Sequence, residues 1–124
     1  MRRTIGLSVM AAIAAALLVA GPAVAKPVAT PSVVEVTALA SGLQYNTKVL
    51  RSHPGKIALV FTNLSTTKHN VRIESGENEL GGTKTIGKGK AVAYVNLKKG
   101  TYNFYCSVPG HEDAGMKGKL VVSS

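Results

Sequence analysis

The chain has 124 residues, 15 Lys and Arg against 6 Asp and Glu for a formal charge of +9, and a single Cys. That length suits one domain and leaves no room for a second, and one Cys excludes an intramolecular disulfide. The basic balance raises nucleic acid as a partner, but the lysines are spread over turns and are not gathered on a helix beside stacking aromatics, so none is expected.

Residues 1–25 read as a cleavable, helical export leader. Arg2 and Arg3 precede the apolar run Ile5 to Ala20, Gly21-Pro22 breaks it, and Ala23-Val24-Ala25 predicts cleavage after Ala25. The run is short for a comfortable membrane span of about 20 residues; a retained anchor is the alternative. Cleavage would leave residues 26–124 as one domain with 13 Lys and Arg, a formal +7 once Arg2 and Arg3 are gone. The mature protein is expected in the periplasm or another extracytoplasmic space, as a monomer without a membrane span. A free thiol there is exposed to oxidation unless something occupies it, and metal ligation does so.

After a Pro-bearing opening at Lys26 to Ser32, Val33 to Leu39 predicts a first strand. Leu43 to Tyr45 and Lys48 to Leu50 are short extended pieces, and Ser52-His53-Pro54-Gly55 is a turn that His53 merely decorates. Lys56 to Asn63 alternates with apolar residues on both faces, the pattern of a central strand. His69 to Ile73 follows a polar turn and predicts a strand in which His69 shares the inward parity of Val71 and Ile73. Glu74 to Lys90 is Gly-rich, its glycines read as turns, with at most a short strand at Thr83 to Ile86. Ala91 to Leu97 and Thr101 to Cys106 are strands joined by the turn Lys98-Lys99-Gly100, with Tyr102, Phe104 and Cys106 on one side. Met116 opens a closing strand and shares parity with Leu120 and Val122. Seven or eight short strands without a helical period predict an all-β sandwich.

The chemistry gathers between Tyr102 and Met116, YNFYCSVPGHEDAGM, where Cys106, His111 and Met116 are spaced C-x4-H-x4-M. Pro109-Gly110 supplies the reversal that lets a thiolate, an imidazole and a thioether converge. His69 adds a second imidazole at the mouth of another strand. Two His and one Cys in a plane, with a weak axial Met, are the ligand set of a blue copper site. A lone Cys is ordinarily a small buried hydrophobe, and it is the combination that points to copper.

The segment FYCSVPGHEDAGMKGKLVV resembles the copper-binding end of the cupredoxins. Its spacing is similar to that of auracyanins and rusticyanins, with plastocyanins and azurins as near relatives whose ligand loops are shorter. The resemblance covers Leu43 to Val122. It implies Greek-key connectivity, one type 1 copper held by His69, Cys106, His111 and Met116, an intense blue colour, and single-electron transfer without catalysis. It also implies that Asn70 ties the His69 segment to the Cys loop and that its amide donates to the Cys106 sulfur, with the Val108 amide as a second donor. The uncharged residues around His111 are then a docking patch. The remaining +7 charge predicts a redox partner with an acidic docking face. Copper buffering or delivery is the competing reading. A multicopper oxidase or nitrite reductase needs further ligands, which His53 alone cannot supply.

Overall fold

The computed structural model describes residues 14–19, 21–22 and 29–124. The leader expected over residues 1–25 and its cleavage point lie outside these, except for 14–19 and 21–22. Those two pieces have no regular secondary structure where a helix was expected. Leu17, Leu18 and Val19 are exposed, and a short isolated helix with nothing to pack against is marginal. Among the described residues no helix is long and apolar enough to cross a membrane.

Eight strands follow: β1 (Ser32–Ala38), β2 (Val49–Ser52), β3 (Gly55–Asn63), β4 (Arg72–Ser75), β5 (Asn78–Gly82), β6 (Gly89–Leu97), β7 (Gly100–Tyr105) and β8 (Lys117–Val122). They form a three-stranded sheet, β1-β3-β6, facing a five-stranded sheet, β2-β8-β7-β4-β5. The chain crosses between sheets after β1, β2, β3, β5 and β6, so the connectivity is that of a Greek-key sandwich. Two pairings are parallel, β1 with β3 and β2 with β8.

Period-two alternation builds the core. Val34 and Val36 of β1, Ile57, Leu59 and Phe61 of β3, and Val95 and Leu97 of β6 point inward from one sheet. Leu50, Ile73, Phe104, Leu120 and Val122 meet them from the other. Burying each of the larger of these side chains contributes about 1.5–3 kcal/mol. Tyr45 closes the core at one end, its ring edge-on to Phe61 at 6.4 Å and tilted against Phe104 at 5.4 Å.

Three expectations are corrected between residues 69 and 90. His69 does not begin a strand; it forms an isolated bridge with Ile86, and β4 starts at Arg72. Its inward position therefore does not come from strand parity, and Asn70 beside it is buried too. Thr83 to Ile86 is not a strand, because those side chains and amides serve the neighbouring segment instead: the Thr83 hydroxyl accepts from the Val71 amide and Ile86 pairs with His69. The strand of this region is β5, a hairpin partner of β4. Gly82 belongs to it and not to a turn; its φ is 146°, and a Cβ there would fall on the Val71 carbonyl and the Arg72 Cα. Glycine is what permits two backbones to approach so closely.

Candidate metal centre

β7 carries Phe104 inward and ends one residue before Cys106, whose sulfur is wholly buried at the end of the apolar stripe. The chain then reverses over residues 108–115 and returns at β8. Gly110 and Gly115 take the positive φ values of this reversal, 83° and 105°. The loop is bonded to itself. The His111 amide donates to the Val108 carbonyl at 3.0 Å and the Met116 amide to the His111 carbonyl at 3.0 Å. The Cys106 amide donates to the Met116 carbonyl at 3.1 Å, which closes the base. Lys48 Nζ donates to the Gly115 carbonyl from outside. Met116 is wholly buried and lies in backbone contact with both Cys106 and His111.

His69 arrives on the connection between β3 and β4, just before β4 pairs with β7. Its amide and carbonyl pair with those of Ile86 at 3.0 and 2.9 Å. Asn70 bridges outward from there: its Nδ2 donates to Ser107 Oγ at 2.7 Å and Thr85 Oγ1 at 2.8 Å, and its Oδ1 accepts from the Ser107 amide at 2.9 Å. The segment bearing one imidazole is thereby fixed to the residue next to the cysteine.

Three ligand-type atoms converge. His69 Nδ1 lies 3.1 Å from His111 Nδ1, and Cys106 Sγ lies 3.9 and 3.5 Å from those two nitrogens. Nitrogen and sulfur ligands sit about 2.0–2.3 Å from a shared metal ion, which in trigonal or tetrahedral arrangement separates them by roughly 3.3–3.8 Å. The observed separations of 3.1, 3.5 and 3.9 Å bracket that range. Lone pairs of two imidazoles and a thiolate aimed at one point repel unless protons or a cation stand among them. Burial, and secondly the neighbouring His111, push the His69 pKa below its ordinary 6.5, which favours the neutral imidazole that binds metals.

Residues 32–123 match the family model for copper-binding proteins of the plastocyanin/azurin family. The chain belongs to that family. The cupredoxin fold recurs in solved structures. Reduced auracyanin from the photosynthetic bacterium Roseiflexus castenholzii shares 25% identity over 77% of this chain and 100% of its own, with a TM-score of 0.70. Auracyanin B shares 25% identity over 79% of this chain and 94% of its own, with a TM-score of 0.72. Rusticyanin from Thiobacillus ferrooxidans, at 20% identity over 73% of this chain and 76% of its own, has a TM-score of 0.61 and shows the fold alone. No curated protein matches the chain. The cofactor of this cupredoxin is one type 1 copper.

Of the residues read from the sequence, His69, Cys106 and His111 form the triangle and Met116 lies buried at its loop. Val108 is partly buried against the core, and its carbonyl takes the His111 amide. His53 is exposed in the turn before β3, apart from the cluster. Sequence reasoning missed Asn63, Tyr45 and Lys48. Asn63 left a signal in Asn63-Leu64-Ser65, an Asx-turn in which its Oδ1 takes the Ser65 amide at 2.9 Å. Tyr45 and Lys48 left none, because their partners are 25 and 67 residues away.

Proposed function

We propose that this cupredoxin is a carrier of single electrons, with His69, Cys106, His111 and Met116 as its copper ligands. The observation that carries the reading is the buried triangle of two Nδ1 atoms and one Sγ, in a family of copper-binding proteins. Bound copper supplies a one-electron couple between Cu(I) and Cu(II). The chain supplies rigidity. Its ligands stand on two loops tied together through Asn70 and Ser107, so they keep their places when the charge between them changes. The core excludes water from Cys106 and Met116. Amide donation from Asn70 and Val108 to the sulfur would further stabilise its negative charge; the polar neighbours of the sulfur in the structure are the two imidazoles.

His111 is the ligand at the surface, 9% exposed where His69 is 0%, and its rim of Val108, Pro109, Gly110 and Ala114 is uncharged. Electrons would cross there to a docked redox partner. The +7 charge left after removal of the leader favours an acidic partner face, with exposed Lys68, Lys117 and Lys119 near the ligands. Glu112 and Asp113 oppose them locally. The summed field of the surface governs encounter at longer range. Such steering belongs to an exported protein acting outside the cytoplasm, after cleavage near Ala25.

Visible and EPR spectra of the copper-loaded protein test the assignment. An intense blue band near 600 nm is expected from the family resemblance, and a colourless complex would favour copper buffering or delivery instead. For the partner, the second-order rate of electron transfer should fall as salt rises, since the screening length is about 10 Å at 0.1 M. A rate that is flat or rises with salt would remove electrostatic steering and leave the uncharged rim to direct docking.

A further inference from the structure

A metal-binding imidazole is ordinarily held in orientation by a partner on its other ring nitrogen. His69 has none. Its Nε2 is buried without a hydrogen-bond partner among the described residues, while its Nδ1 faces His111 and Cys106. The orientation of the ring must then come from the backbone that bears it, and that backbone is gripped on both sides. Ile86 pairs with the His69 amide and carbonyl. Asn63 Nδ2 reinforces Ile86 by donating to its carbonyl at 3.0 Å, and it also holds the Thr67 carbonyl at 2.9 Å. On the other side of His69, the Asn70 carbonyl accepts the Tyr45 hydroxyl at 2.5 Å.

Tyr45 reaches this carbonyl from the segment between β1 and β2, and its ring is locked between Phe61 and Phe104, two residues before the cysteine. Burial, and then the charge of Cys106, hold its phenol well above the usual range. Its hydroxyl therefore keeps its proton and donates a hydrogen bond to the Asn70 carbonyl. We propose that Tyr45 is a positioning residue for the copper site, its hydroxyl fixing the Asn70 carbonyl and with it the angle at which the His69 imidazole meets the Cys106 thiolate. The proposal rests on the reading of His69 and Cys106 as ligands. Asn70 transmits any displacement to both, because its side chain also holds Ser107. Without the hydroxyl, the buried carbonyl of Asn70 loses its partner and can regain one only by moving.

The test sets Tyr45→Phe against Tyr102→Phe. Each deletes one tyrosine-to-carbonyl bond, but Tyr102 donates to Lys98 at the end of β7 remote from Cys106. Copper-loaded Tyr45→Phe should remain blue while binding Cu(II) about tenfold more weakly, the lower end of what loss of a group that orients a metal ligand costs. Its EPR hyperfine splitting should change as well. In the metal-free protein, amide exchange at His69 and Ile86 should quicken about fivefold, the equivalent of one ordinary hydrogen bond. Tyr102→Phe should match the wild type in all three. A folded Tyr45→Phe with wild-type affinity, hyperfine splitting and exchange overturns the proposal, as do equal changes in both variants. Should Tyr45→Phe not fold, 4-fluorophenylalanine at position 45, which fills the space of the hydroxyl without donating to the Asn70 carbonyl, is read identically. A wild type that never turns blue would defeat the ligand reading, and the exchange measurement, made without metal, would still decide whether Tyr45 fixes the His69 backbone.

Discussion

The two ligand-bearing regions are secured in opposite ways. The loop from Cys106 to Met116 closes on itself through backbone bonds among its own residues. The His69 segment has little internal bonding and is held from a distance, by Tyr45, Asn63, Ile86 and Ser107. One region can be built from a short stretch of sequence. The other exists only when the whole sandwich has assembled, so damage to the core should reach the site through His69 first.

Cys106→Ser gives the largest effect, complete loss of the blue band, because the colour depends on a thiolate bonded to copper; an unchanged visible spectrum would break the assignment of the loop. Next comes an asymmetry between the imidazoles. His111→Ala and His69→Ala should both lose the type 1 spectrum, but added imidazole should restore it in part only for His111→Ala, since His69 is entirely buried. Equal restoration in the two variants would erase the distinction between an outer and an inner ligand.

Gly82→Ala attacks the His69 side without touching a ligand, by driving a methyl group into the Val71 carbonyl at a φ of 146°. It should lower stability by about 2–4 kcal/mol in denaturant unfolding. A loss below about 0.5 kcal/mol, the scale of an ordinary surface change, would show that β5 yields freely. Met116→Leu should leave a blue site and raise its potential, since a weak donor to Cu(II) is removed. A tenfold change in relative affinity corresponds to about 59 mV for one electron, and voltammetry reads it directly.

The smallest effect is one of pH. The folded-state pKa of His69 lies below its ordinary 6.5, from burial and then from His111, so on acidification the unfolded chain takes up this proton first. The stability due to the neutral buried ring is whole above about 6.5, begins to fall below it, and is gone once the pH passes the lower folded-state value. Melting temperatures of the metal-free protein should fall over that window, and His69→Ala should remove this part of the slope.

The same contrast explains what could be read in advance. Cys106, His111 and Met116 were legible because their spacing and the Pro109-Gly110 turn are local, and β1, β3, β6, β7 and β8 were legible because alternation is local. Between residues 69 and 90 the reading failed where backbone pairing is decided by contacts across the fold. β5 is made of Asn78-Glu79-Leu80-Gly81-Gly82, a poor strand by composition, and it forms because Gly82 lets it lie against β4. For Asn70 the family resemblance led to the expectation of a tie between the His69 segment and the Cys loop, and its side chain bonds Ser107. Tyr45, which supports it, lies in a stretch whose residues carry no sign of that role.

The parallel pairing of β2 with β8 bears on how the protein comes to exist. Leu50 pairs with Leu120, and the Lys119 amide donates to the Lys48 carbonyl, so the sheet is sealed by contacts between residues about seventy positions apart. Contacts of such long range cost loop entropy before they return any stabilisation, and they slow folding. β8 also holds the return limb of the ligand loop. Cys106, at the end of β7, and Met116, at the start of β8, therefore come together only once β8 has joined β7 and β2, so the complete site forms late in folding.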